Sequence, residues 1–319
     1  MNTKNYLFIE TYGLGDRIST EALIFSALTQ KGVGKVSLIA NENSRGFAFP
    51  HHSRMSEILF ARFPWGIRHG QRNPFHVLFS MLRFAWKFRG RFCDYIGVNP
   101  RGDFYQTMLL HLLRVKKIVS CDFTHTESTL QKFLGATNEH HAERRERLGI
   151  RLFGKDFRLF RKFLADGNIS HENDVVLLAP ETSVPDKEPS EDFIRDFISL
   201  IKNSRLRCRL VVAHERAVSQ ELYPQFDEII KRPIADLPKL IREASVAVCS
   251  DSFIGHLCSA CGVPVISLFG STDPDVWRPS GECVVVRNKN GTKNLTAEEV
   301  FPFVKRFCAS QPPPQNPPQ

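Results

Sequence analysis

The sequence predicts an α/β protein built from two Rossmann-like halves, each a parallel sheet wrapped by helices. Three observations predict it. Short apolar runs alternate with amphipathic stretches along most of the chain, as in β-α-β units. A charged, strandless stretch from 142 to 164 divides that alternation into two series. At 319 residues the chain has room for two domains of ordinary size. The expected boundaries are 1–168, 169–309 and a proline-rich tail, SQPPPQNPPQ, at 310–319. The tail lacks apolar content and is expected to be extended or disordered, with no catalytic part.

In the first half, NYLFIETY reads as a strand and is followed by Gly13-Leu14-Gly15-Asp16 and an amphipathic helix from about Arg17 to Lys31. KVSLIA is the next strand. Ser56–Phe63 reads as a short helix and Phe75–Phe88 as a longer one. FCDYIG, 92–97, reads as a strand, Tyr105–Arg114 as a helix and KKIVSCDF as another strand. The charged stretch 142–164 reads as helical.

The second half opens near 173. VVLLAP is a strand, SEDFIRDFISLIKN a helix capped at Ser190, CRLVVAH a strand and IADLPKLIREA a helix. VAVCS and VPVISLFG are buried parallel strands, ECVVV a last short strand, and Thr296–Cys308 a closing helix with Glu299 at the capping-box position.

Composition sets limits. The chain is 42% hydrophobic and 24% charged, normal for a soluble globular protein. No run approaches the ~20 apolar residues of a membrane span. The N-terminus has no apolar signal core and reads as the first strand of a cytoplasmic protein. The net charge is +9, with much of the excess between Arg62 and Arg91 among Phe and Trp. Such a face suits a polyanion, an anionic membrane surface or a phosphorylated glycolipid, or it is a solvated face whose aromatics anchor the core. Of eight cysteines, several sit inside apolar runs, as reduced core thiols do. Cys258 and Cys261 form a lone C-x-x-C. With His256 the three fall within about one helical turn, so helix packing is the reading.

The stretch 246–279 carries the strongest functional signal. It runs strand, polar turn, short helix, Gly262-Val263-Pro264, strand, then a Gly270-Ser271-Thr272-Asp273 loop. Asp251, Ser252, His256, Gly270, Ser271 and Thr272 therefore lie at the carboxyl ends of adjacent strands, where open α/β sheets bind ligands. Exposed amides at a helix N-terminus favour a phosphate there. Near the N-terminus, Gly13-Leu14-Gly15-Asp16 lacks the third glycine of a dinucleotide fingerprint, since Ile18 stands in its place. Asp16 would also repel a pyrophosphate, which disfavours a nicotinamide-dependent dehydrogenase.

Asp251-Ser252-Phe253-Ile254-Gly255-His256, Gly262-Val263-Pro264 and Phe269-Gly270-Ser271-Thr272-Asp273-Pro274 together resemble the nucleotide-sugar site of glycosyltransferase family 9, the ADP-heptose:lipopolysaccharide heptosyltransferases. The resemblance runs in order from Tyr6 to about Cys308. It implies the GT-B fold, two Rossmann-like domains with parallel sheets facing across a cleft, the first binding acceptor and the second nucleotide-sugar. It implies an inverting, metal-independent transferase that moves a sugar, heptose by family, from a nucleotide-diphospho-sugar to a lipopolysaccharide core or other surface glycan. No cofactor is implied beyond that donor, which is ADP-linked by family. Nucleic acid is not an implied partner, and the protein is expected in the cytoplasm, with peripheral contact at the inner face of an anionic membrane.

By the same resemblance Asp16 is the catalytic base, because an acceptor hydroxyl is a poor nucleophile until a carboxylate takes its proton. Thr182, Ser183 and Lys187, in the loop after VVLLAP, would meet the diphosphate, and Asp251, Ser252 and His256 complete the donor site. Glu215 would accept the hydroxyls of the donor ribose, and Arg101 would meet an acceptor phosphate or carboxylate. Two positions depart from the family pattern. Phe253 replaces a glycine, with its ring expected to turn into the core, and Glu21-Ala22-Leu23 stands where a proline follows the aspartate. These departures keep two alternatives open: a non-catalytic GT-B protein that binds nucleotide or glycan, and a GT-B-like nucleotide-sugar epimerase.

Overall fold

The computed structural model describes residues 3–46, 49–64, 73–121, 140–165, 175–212, 218–231 and 236–309. The chain divides into two compact units, Met1–Phe160 and Arg161–Gln319.

Unit 1 holds a five-stranded sheet in the order β3-β2-β1-β4-β5, formed by β1 (Lys4–Glu10), β2 (Val33–Asn41), β3 (Glu57–Ala61), β4 (Tyr95–Asn99) and β5 (Lys117–Ser120). Every pairing is parallel. Its helices are α1 (Leu14–Leu28), α2 (Pro74–Phe88), α3 (Phe104–Leu112) and α4 (His141–Phe153); α5 (Arg158–Ala165) follows at the division. β1 is central, so Leu7, Phe8 and Ile9 are fully buried on both faces. Leu7, Ile9 and Ile39 pack with Met81 and Ala85 of α2 and with Leu109 and Leu110 of α3.

Unit 2 holds a six-stranded parallel sheet in the order β11-β10-β9-β6-β7-β8. Its strands are β6 (Val175–Ala179), β7 (Arg207–Val211), β8 (Glu228–Ile230), β9 (Val246–Ser250), β10 (Val265–Phe269) and β11 (Cys283–Arg287). Its helices are α6 (Glu191–Asn203), α7 (Leu237–Ile241), α8 (Phe253–Ala260), α9 (Pro274–Trp277) and α10 (Ala297–Ala309). Phe193, Ile194, Phe197, Ile198 and Ile201 give α6 one apolar face, which packs with Val176, Leu178, Val248 and Val304. Each such side chain contributes ~1.5–3 kcal/mol by leaving water. Ser190 caps α6 by accepting Phe193 N at 3.1 Å, and Glu299 accepts Thr296 N at 2.8 Å ahead of α10.

Three elements differ from expectation. The helix expected over Ser56–Phe63 is instead strand β3, paired with β2 from Ser37↔Glu57 to Asn41↔Ala61. A run so short cannot repay the cost of helix nucleation, while pairing satisfies its backbone at once. The strand expected at FCDYIG begins later, at Tyr95, because Gly90 adopts φ +79° and the chain turns through Cys93 and Tyr95. β8, a three-residue edge strand, carries too little pattern to be read from sequence.

The strand order reverses between β1 and β4 in unit 1 and between β6 and β9 in unit 2. Ligands of open α/β sheets collect beyond the carboxyl ends of the strands at these reversals.

Candidate active site

At the unit 1 reversal, α1 starts directly after β1, and Gly13 O accepts Arg17 N at 3.1 Å. Asp16 falls in the first turn, where the helix dipole favours a carboxylate. It is 6% exposed. Both its oxygens face guanidinium groups: Arg101 Nη1 at 3.0 Å on Oδ2 and Arg145 Nη2 at 2.7 Å on Oδ1. Arg101 comes from the loop after β4. It lies 4.0 Å over the Tyr12 ring, and the Tyr12 hydroxyl donates to Asp103 at 3.0 Å. So Asp16 and Arg101, expected at base and acceptor positions, are brought together as an ion pair.

Two further members were missed by the sequence reading. Glu10 ends β1, accepts Thr20 Oγ1 at 2.9 Å and Tyr12 N at 3.1 Å, and lies 3.6 Å from Arg145. Burial and then the Asp16 charge push its carboxyl up to about 7, against the pull of Arg145. Burial also raises Asp103, against Arg101. Arg145 stands in HAERRERLG, inside the charged stretch read as helical, and it is 1% exposed. A signal was available: Arg145 is three residues after buried Ala142 and three before buried Leu148, on the inward face of α4.

At the unit 2 reversal, Asp251 follows β9 and Lys187 lies in a turn after β6. Lys187 Nζ donates to Asp251 Oδ2, and Thr272 Oγ1 donates to the same oxygen at 2.8 Å. Ser252 is the N-cap of α8, but its hydroxyl makes no cap bond. That oxygen is buried and has no hydrogen-bond partner among the described residues. His256 is half-exposed one turn into α8. The loop after β10 is held tightly, since a Cβ on Gly270 would stand 2.8 Å from Thr292 N.

Lys187, Asp251, Ser252 and Thr272 thus gather at one place. Thr182 does not offer its hydroxyl there: Oγ1 donates to Val184 O at 2.6 Å and accepts Val184 N at 2.9 Å, which builds the turn that carries Lys187. Glu188 accepts Thr182 N at 3.0 Å and fixes the same turn. Ser183 is exposed. Phe253 is half-buried at the first position of α8. Glu215 lies outside the described residues, as does the tail 310–319. Cys258 and Cys261 are buried. Burial pushes the Cys258 thiol well above its ordinary value and Cys261 up to about 12, as packed thiols require.

A carboxylate and two imidazoles converge elsewhere in unit 1: Glu21, His51 and His52 have ligand atoms within 4.8 Å of one another. Hydrogen bonds already tie the three side chains together. Phe49 N donates to His52 Nδ1 at 3.2 Å, so the ring proton sits on Nε2 and points at Glu21 Oε2, 2.8 Å away. Arg17 binds the other oxygen at 2.5 Å. Burial would raise the Glu21 carboxyl, but Arg17 and the two histidines outweigh it and hold the group well below its ordinary value. The cluster ties α1 to the turn Pro50–Arg54.

The family model described as glycosyltransferase family 9 (heptosyltransferase) matches residues 132–303, more than half of the chain. The chain belongs to glycosyltransferase family 9. Among curated relatives, lipopolysaccharide heptosyltransferase 1 of Salmonella typhimurium is 29% identical over 127 residues. That alignment spans 38% of this chain and 40% of the relative, well under two thirds of its length. Among solved structures, E. coli heptosyltransferase WaaC with ADP superposes with a TM-score of 0.70 at 21% identity, over 95% of this chain and 99% of that one. E. coli ADP-heptose lipopolysaccharide heptosyltransferase II gives 0.62 at 12%, over 96% and 99%. The fold of this family 9 member is therefore GT-B, with two parallel-sheet Rossmann-like units. The family match also disfavours the epimerase and the non-catalytic readings.

Proposed function

We propose that this chain is an inverting glycosyltransferase that moves a heptose from ADP-heptose to the core of a lipopolysaccharide at the cytoplasmic face of a membrane. The observation that supports it most is the group at the β6/β9 reversal: a lysine, a threonine and a serine hydroxyl with no partner among the described residues around the N-terminus of α8, in the segment the family model matches.

The chemistry divides between the units. In unit 2, Lys187 neutralises Asp251 and keeps two further N–H donors for phosphate oxygens. Ser252 Oγ and the first amides of α8 take the remaining charge as the diphosphate leaves. In unit 1, Asp16 accepts the proton of the acceptor hydroxyl while that oxygen bonds the anomeric carbon and the bond to the diphosphate breaks. ADP leaves, and the anomeric centre inverts in one displacement. Arg145 and Arg101 orient the Asp16 carboxylate, and the partly exposed Arg101 meets an anionic group of the acceptor. Thr182 acts by shaping the Lys187 turn.

The test is transfer itself. Purified protein with ADP-heptose and a heptose-less lipopolysaccharide core should add one heptose mass per acceptor and release ADP in equal amount. Unchanged acceptor at stoichiometric enzyme would sink the reading.

A further inference from the structure

α2 buries Val77, Met81 and Ala85 against the unit 1 sheet. A second apolar stripe points away from that core. Phe75 is 82% exposed, Phe79 65% and Trp86 79%, with Leu78 and Leu82 also exposed. Their spacing of i, i+3, i+4, i+7 and i+11 sets them on one line along the helix. Arg83, Lys87 and His76 border the stripe on the side away from the core, and all three are exposed. Residues 58–93 contain no Asp or Glu and seven Arg or Lys. Arg91 pairs with Glu57. Arg83, Lys87 and Arg89 have no acidic partner among the described residues. So α2 has three faces: one in the core, one apolar and open, one basic and open.

We propose that α2 is the element by which this protein binds an anionic phospholipid bilayer, lying in the interface with Phe75, Phe79 and Trp86 in the acyl boundary. A helix with an aromatic apolar face and a Lys/Arg border is the pattern of in-plane membrane helices. The basic border gains from an anionic surface, and the stripe gains by leaving water. A second copy fits worse. A two-fold dimer through this stripe would bring two basic borders together with no acidic residue of the same segment to offset them. The inference deepens the membrane-surface part of the function above but rests on α2 alone. Transfer without vesicle binding would remove the helix proposal, whereas vesicle binding without transfer would remove the transferase.

Vesicle co-sedimentation tests it. Wild type should bind phosphatidylethanolamine vesicles that contain phosphatidylglycerol, and bind at least about tenfold more weakly when phosphatidylglycerol is left out or salt is raised. Phe79→Ser/Trp86→Ser should lose binding about tenfold or more with its melting temperature kept, since both side chains are exposed. Arg83→Gln/Lys87→Gln should lose the dependence on phosphatidylglycerol. Brominated acyl chains should quench wild-type fluorescence and spare Trp86→Phe. Equal binding to neutral vesicles, full binding by the serine variant, or a concentration-dependent dimer that the serine variant dissolves in the absence of lipid binding would each overturn the proposal.

Discussion

The two sheet reversals share a topology but differ in state. At β1/β4 every charge is met by protein: Asp16 by two arginines, Glu10 by a threonine and Arg145, Asp103 by Tyr12. At β6/β9 the set is unfinished among the described residues, with a buried serine oxygen unpaired and a lysine whose ammonium retains donors. The first arrangement holds a carboxylate in place before substrate arrives. On the proposed function, the second takes up an anion. A base must be oriented in the free enzyme, whereas a phosphate cradle needs its charge only when the ligand is bound.

The largest effect should come from unit 1. Asp16→Asn keeps the size and can still accept from Arg145, so folding survives. Transfer should fall ~10²–10⁴-fold, the usual cost of a missing general base. Near-normal turnover would reduce Asp16 to a structural partner of the arginines.

Lys187→Ala comes next. It deletes one charge-assisted contact worth ~1.5–3 kcal/mol, so ADP affinity should drop ~10–100-fold while adenosine binding stays unchanged. Equal loss for both ligands, read by calorimetry, would mean that the turn has collapsed rather than that a phosphate contact is gone.

The third contrast lies within unit 1 and is read by pH. Folded Glu10 keeps its proton to about 7, against an ordinary value of 4.5. Its raised value contributes stability below pH 4.5 that is lost as pH rises through 7. Glu21 is depressed, so its contribution is present above its ordinary value of 4.5 and is lost as pH falls below that. Melting temperature of wild type should decline between about pH 5 and 7.5 relative to Glu10→Gln, and that decline should be absent in the variant. Coincident curves across that range would mean that Glu10 is ionised throughout.

The smallest effect is at Phe253. A core Phe→Ala change costs ~3–5 kcal/mol. Half-buried at the start of α8 and outside the core clusters, Phe253→Ala should cost about 1–2 kcal/mol by urea denaturation and leave ADP affinity within a few-fold. A cost near the core value would place the ring inside after all.

Much of this was legible in the residues. The alternation of apolar runs and amphipathic stretches marked both sheets, and strong local signals such as Ser190 and Thr296 marked helix starts. Asp251 and Ser252 were picked out because they fall at a strand end, and Lys187 because its loop resembles the family's; the structure joins Lys187 to Asp251. What escaped has a common cause. Glu10 and Arg145 lie 135 residues apart and become partners only through the fold, and a buried charge looks like a surface charge until its partner is known. Thr182 was assigned to a phosphate because sequence cannot tell a free hydroxyl from one already closing a turn. β3 was misread because a run of four apolar residues, Ile58 to Ala61, carries no period that separates helix from edge strand. The stripe on α2 was legible as basic and aromatic, but its exposure was not.

The division of labour is tested most directly by a crossed comparison of Asp16→Asn and Lys187→Ala, with ADP affinity by calorimetry and transfer rate on the same preparations. The account predicts opposite losses: Asp16→Asn binds ADP like wild type and turns over ~10²–10⁴-fold more slowly, while Lys187→Ala loses ADP affinity ~10–100-fold. If Asp16→Asn weakens ADP as much as Lys187→Ala does, the two reversals do not hold separate halves of the reaction, and the assignment of base and cradle fails.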